Sequence, residues 1–114
     1  MELQNKPVQD KKALLQLITE HSNAIKNFGV KEIGIFGSFV RNEMNEDSDV
    51  DFLVDFYPEK KNYKNFIHLA YFLEDICGRK VELLTREGLS KYIGPKILDT
   101  TEYVAITNWF LETH

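Results

Sequence analysis

The stretch Val50-Asp51-Phe52-Leu53-Val54-Asp55-Phe56 constrains the fold of this chain more than any other. Val50, Phe52, Val54 and Phe56 take every second position, the period of a strand with one face in a core. Asp49 and Asp51 then project together from the other face, about 6 to 7 Å apart along the backbone. Like charges so placed repel each other and attract a cation. Two hard oxygen donors at this spacing suit one or two Mg²⁺ ions, which bind carboxylates together with substrate phosphates. Asp55 lies about 13 Å further along the strand, which makes it a weaker candidate.

Residues 30–36 read as a second short strand, with Ile33 and Ile35 on one face, and they run directly into Gly37-Ser38. Glycine lets the backbone approach a ligand closely, and a helix opening at Ser38 would aim free N–H groups at a phosphate. A Gly-Ser pair alone is an ordinary turn, and an Asp-x-Asp alone is usually a solvated edge. Here ten residues separate Ser38 from Asp49, so an anion site and a cation site each border an apolar strand. A nucleoside triphosphate carried with magnesium needs both.

Around these strands the periodicity predicts a helix over residues 8–27, with Pro7 near its start and Gly29 closing it, and Leu14, Leu17, Ile18, Ala24, Ile25 and Phe28 on its apolar stripe. A short helix is expected at 38–43, a polar loop at 42–48, and a helix at 63–77 that buries Phe66, Leu69, Ala70, Leu73 and Ile76 and stops at Gly78. A strand at 80–85 follows. A helical segment near 87–92, a break at Gly94-Pro95, a further helical turn and a strand at 102–106 complete the chain. The expected fold is α/β (α+β), a small mixed sheet with helices on one face and the carboxylate face open.

At 114 residues, 43% hydrophobic and 28% charged, the chain reads as one domain spanning 1–114. No apolar run approaches the roughly 20 residues of a membrane span, residues 1–12 do not resemble a signal peptide, and a cytoplasmic protein is expected. Cys77, the single cysteine, is expected to pack at the end of its helix. The net charge is −4 and no basic block exceeds two residues, which argues against direct nucleic-acid binding.

Gly37-Ser38, Arg41, Ser48-Asp49-Val50-Asp51 and Phe52-Leu53-Val54 resemble the signature of the DNA polymerase beta-like nucleotidyltransferase superfamily, and most closely its minimal members, the MNT antitoxins paired with HEPN-domain toxins. Asn42 departs from that pattern, standing where these proteins often carry glycine, a mild change because asparagine tolerates left-handed backbone. The resemblance implies a third acid on the third strand, in a pattern like Val-Asp-Leu. Val81-Glu82-Leu83 matches it with glutamate in the acidic position. It also implies antiparallel pairing of the second and third strands.

On this reading Asp49, Asp51 and Glu82 form the catalytic and metal-binding set for two Mg²⁺ ions. Gly37 and Ser38 hold the β- and γ-phosphates of ATP, Arg41 reaches a phosphate or a partner carboxylate, and Ser48 braces the loop. The activity implied is transfer of AMP from ATP to a tyrosine of a cognate HEPN toxin ribonuclease. Two other activities compete with it. One is an antitoxin that acts by binding alone, with Glu82 as the sign of a decayed site. The other is a small-molecule nucleotidyltransferase of the aminoglycoside-modifying kind, which would need an acceptor domain from elsewhere. The apolar cluster Trp109-Phe110-Leu111 is a candidate partner contact. The five tyrosines, Tyr57, Tyr63, Tyr71, Tyr92 and Tyr103, are possible acceptors in this chain itself.

Overall fold

Two seven-residue strands, Val30–Phe36 (β1) and Val50–Phe56 (β2), pair antiparallel in the centre of a four-stranded sheet. The computed structural model describes residues 7–89 and 94–106. Val81–Thr85 (β3) flanks β2, and Glu102–Val104 (β4) flanks β1, giving the order β3-β2-β1-β4. The helices are Lys11–Glu20 (α1), Ser22–Asn27 (α2), Ser38–Arg41 (α3), Tyr63–Cys77 (α4) and Gly94–Thr100 (α5). None among the described residues is long and apolar enough to cross a membrane.

The alternation read from the sequence fixes the faces. Val50, Phe52, Val54 and Phe56 are buried with Ile33 and Ile35 of β1, and they share one core with Leu14 and Ile18 of α1, Ile25 of α2, Phe39 of α3, and Leu69, Leu73 and Ile76 of α4. Phe66 and Ala70 are partly buried against the same core. The opposite face carries Asp51, paired in register with Phe36, and Leu53, paired with Gly34. That face is less open than expected, since Leu53 is 2% exposed and the Thr101 methyl group closes on Gly34.

β3 runs parallel to β2, whereas antiparallel pairing was expected. The reason lies in α4. A parallel neighbour requires a long crossover, usually helical, and the 15 residues of α4 span about 22 Å, close to the length of β2. The chain climbs β2, returns along α4 and starts β3 from the same end. Asn62 caps α4 by accepting the Asn65 N–H at 2.8 Å, and Gly78 ends it at φ 63°.

The expected helix over 8–27 is two helices. Asp10 rather than Pro7 sets the start, its carboxylate accepting the Ala13 N–H at 2.8 Å, while the Val8 N–H bonds the Cys77 carbonyl at 2.9 Å. At His21 the backbone leaves helical geometry (φ −105°, ψ 18°) and the ring turns onto the Leu17 carbonyl and edge-on to Phe72, 5.8 Å between centroids. The bend accompanies a second aromatic contact, Phe28 against Phe72 at 5.5 Å. Gly94-Pro95 opens α5, the helical turn expected after it, as a proline in the first turn can. The expected segment at 87–92 is in part a 3₁₀ turn at Arg86–Gly88; residues 90–92, Tyr92 among them, and the Trp109-Phe110-Leu111 cluster lie outside the described residues.

Cys77 is fully buried in the core, and burial pushes its thiol up to about 12, with the nearby Arg79 charge pulling the other way. Thiolate is the reactive form, so at pH 8 a thiol reagent is expected to label the native protein on the order of a thousandfold more slowly than the denatured chain. Labelling followed by absorbance in buffer and in guanidinium chloride checks this.

Candidate active site

The end of β1 and the starts of β2 and β3 meet at one edge of the sheet. Because β2 and β3 are parallel, Asp51 and Glu82 are register partners, each second in its strand and on the same face. On the other side Asp51 pairs with Phe36, the last residue of β1, so the Gly37-Ser38 turn falls beside it. Asp49 immediately precedes β2 and is exposed, as is Glu82; Asp51 is half-buried between them.

Gly37 holds φ 78° and ψ −149°, a conformation essentially reserved for glycine. A Cβ there would collide with the Asp51 carboxylate oxygen Oδ2. Glycine thus serves two purposes: it turns the chain from β1 into α3, and it lets the turn's backbone lie directly on the acid. α3 is only four residues long, so the anion-binding contribution expected from a helix N-terminus rests on a single turn of amides. Asn42 ends it in the left-handed region at φ 59°, the conformation that its side chain tolerates.

The electrostatics centre on Asp51. Burial, then the Glu82 carboxylate, then that of Asp49, raise its pKa to about 6 from an ordinary 3.8, while Arg41 opposes them. Two further acids beside one half-buried carboxylate leave negative charge that a divalent cation would offset. Among the described residues no three His, Cys, Asp or Glu side chains converge as a closed ligand set. Mg²⁺ at phosphate-transfer sites commonly takes one or two carboxylates and completes its shell with phosphates and water, so the donor chemistry here fits a metal arriving with a nucleotide.

The remaining residues expected at the site sit at its margin. Arg41 is exposed and donates through Nε to Glu43 at 2.7 Å, so its charge reaches Asp51 without a bond between them. Ser48 turns its hydroxyl back onto its own loop, accepting the Asn45 N–H at 2.8 Å. It braces that loop. Sequence reasoning missed Arg79, which follows the helix-ending Gly78 and donates to the carbonyls of Asn45, Glu46 and Ser48 in the same loop. Its partners lie 31 to 34 residues away and leave no periodic or local signal. An open cleft of about 600 Å³ bounded by Tyr71, Glu74, Asp75, Gly78, Arg79 and Lys80 does not include Asp49, Asp51 or Glu82. The clustered charge, not the cleft, marks the candidate site.

Residues 18–104 match the profile of the nucleotidyltransferase domain family. The protein adenylyltransferase MntA of Thermococcus cleftensis is 43% identical over 89 residues, 77% of this chain and 89% of its own length. Among solved structures, one assigned provisionally as a minimal nucleotidyltransferase superposes with a TM-score of 0.65 at 26% identity, over 77% of this chain and 93% of that one. A chain from the complex of a tri-AMPylated Shewanella oneidensis HEPN toxin with its MNT antitoxin shares the fold, with a TM-score of 0.54 at 18% identity over 87% of this chain and 78% of that one.

Proposed function

The chain belongs to the nucleotidyltransferase domain family, and from that premise we propose that it is an MNT-type antitoxin which transfers AMP from ATP to a tyrosine of a cognate HEPN toxin. The observation that carries the reading is the placement of Asp51 in register with Glu82 and against Gly37. The 43% identity to a protein adenylyltransferase supports the reaction, and the AMPylated toxin bound to an MNT antitoxin of the same fold supports the target.

In this reading the Gly37 backbone and Ser38 hold the β- and γ-phosphates, and Arg41 adds positive charge at the same edge. Asp49 and Asp51 hold Mg²⁺, with Glu82 completing the acidic set. The bound metal supplies charge neutralisation for the triphosphate and lowers the pKa of the acceptor hydroxyl. The tyrosine oxygen attacks the α-phosphorus in line; its bond to phosphorus forms as the α–β bridging P–O bond breaks. The phenol proton passes to solvent water and pyrophosphate leaves. Glu82 is one methylene longer than the usual aspartate, which sets its carboxylate further from the sheet. An AMP group on the toxin adds negative charge and bulk where an RNA phosphate would bind, which inhibits a ribonuclease by repulsion and obstruction.

The test is incubation of the purified protein with Mg²⁺, its cognate HEPN protein and ATP labelled on the α-phosphate. Label is expected on the toxin with α-labelled ATP, none with γ-labelled ATP, and none with an Asp49→Asn, Asp51→Asn double variant. A stable complex that takes up no label would replace this reading with neutralisation by binding alone.

A further inference from the structure

Asp49 sits between two backbone anchors. The Ser48 carbonyl, part of the peptide bond leading into Asp49, accepts from Arg79 Nη1 at 2.9 Å. The Val50 N–H, one residue beyond, donates to the Lys80 carbonyl at 3.0 Å. Both anchors come from the same dipeptide at the approach to β3. The half-buried Arg79 guanidinium also donates through Nη1 to Asn45 O at 3.0 Å and Glu46 O at 3.3 Å, and through Nε to Val8 O at 2.6 Å. Its carbon lies 5.2 Å from the centroid of Phe39, a fully buried ring of α3 immediately after Ser38. One side chain therefore touches both arms of the site, the α3 arm that begins at Ser38 and the loop arm that ends at Asp49.

We propose that Arg79 is a positioning residue for nucleotidyl transfer, clamping the 45–48 loop against α3 so that the Asp49 carboxylate is held beside Asp51; this rests on the reading of the carboxylates as metal ligands. Arginine suits the task because its planar fork donates in several directions while its face packs on an aromatic ring. A lysine ammonium on a flexible stem does not do both at once. The loop has few other ties: Ser48 Oγ to the Asn45 N–H, the Asp47 N–H to Asn45 Oδ1 and the Ser48 N–H to Asn45 O are all internal to it. Without the clamp the loop keeps its own shape and loses its placement. A displacement of about 1 Å at a catalytic group costs on the order of a hundredfold in rate.

The experiment compares Arg79→Ala and Arg79→Lys with the unmodified chain, using Ile25→Val as a control that removes one methylene from the core in α2, away from the loop. Arg79→Ala is expected to lower kcat on the order of a hundredfold and to raise the Mg²⁺ concentration for half-maximal transfer about tenfold, with Arg79→Lys between it and the unmodified chain. Ethylguanidinium is expected to restore part of the Arg79→Ala rate. The control should lose melting temperature and keep its Mg²⁺ dependence. Activity and Mg²⁺ dependence within twofold of the unmodified chain in both Arg79 variants would overturn the proposal, and so would equal losses in the control. If Arg79→Ala does not fold, the lysine variant decides alone. Mn²⁺ affinity, read by electron paramagnetic resonance without nucleotide or toxin, separates this proposal from the transfer reading. Weaker Mn²⁺ binding by Arg79→Lys in a chain that transfers no AMP would sink the transfer reading and keep Arg79 only as the residue that places the metal-binding Asp49. Equal Mn²⁺ affinities would sink the role of Arg79 whatever the transfer assay shows.

Discussion

Replacing Asp51 with asparagine is expected to abolish transfer and, in the absence of metal, to make the protein more stable. Asp51 titrates near 6 in the fold against an ordinary 3.8, so the folded protein binds this proton more tightly than the unfolded chain does. The sign follows from linkage: its contribution is most favourable below about pH 4 and is lost as pH rises through 6. At pH 7.5 the ionised carboxylate carries the full penalty of burial beside Glu82 and Asp49. Fully buried, such a carboxylate would cost the fold roughly 3 kcal/mol, but Asp51 is only half-buried and solvent screening reduces this to about 1 kcal/mol. Asparagine keeps the shape and removes the charge.

The Asp51→Asn variant should therefore melt about 3 to 6 °C above the unmodified protein at pH 7.5 without Mg²⁺, with the gap closing by pH 4. With Mg²⁺ and ATP the order should reverse, because only the unmodified chain gains stability from ligand binding. Transfer should fall on the order of a thousandfold or more, the cost of losing a ligand to a metal that neutralises transition-state charge. Scanning calorimetry at the two pH values, with and without Mg²⁺ and ATP, checks the stability arm. A variant that melts lower than the unmodified chain at pH 7.5 without metal would show that Asp51 is not under charge stress.

Gly37→Ala should be the most damaging single-atom change at the site. The added methyl group meets two obstacles at once, a backbone conformation at φ 78° and ψ −149° that side chains avoid and the Asp51 carboxylate directly in its path. Strain of this kind costs about 1 to 3 kcal/mol. Melting should drop by roughly 5 to 15 °C, and kcat should fall about a hundredfold or more because Asp51 must move aside. Asn42→Gly offers the contrast. It also changes a positive-φ residue, at the other end of α3, but it removes a side chain from a conformation that glycine adopts freely, so stability should change by well under 1 kcal/mol. Steady-state rates and melting curves for the pair separate collision with Asp51 from general sensitivity of the turn. Comparable losses in both variants would refute the collision account.

Much of this site was legible because its parts report locally. Alternation in 50–56 sorted Asp51 from Phe52, and the glycine at 37 marked the place where backbone must come close. Glu82 was legible as an outward-facing residue between Val81 and Leu83, yet nothing local said which strand it would lie beside. The break at His21 stayed hidden for a related reason: the apolar stripe of 8–27 is continuous in sequence, and the bend answers to Phe72, an aromatic ring 51 positions later.

Strand faces, the Gly78 stop of α4 and the glycine turn were determined by the sequence itself, because side-chain alternation and left-handed caps arise within a few residues of backbone. Strand direction, the pairing of Asp51 with Glu82 and the grip of Arg79 on the 45–48 loop were decided only in the tertiary structure. A strand's direction depends on where the preceding crossover lets the chain re-enter the sheet. An arginine's carbonyl partners depend on which distant loops that re-entry brings within reach. Both follow here from the length of α4, which returns the chain to the end of the sheet where β2 begins.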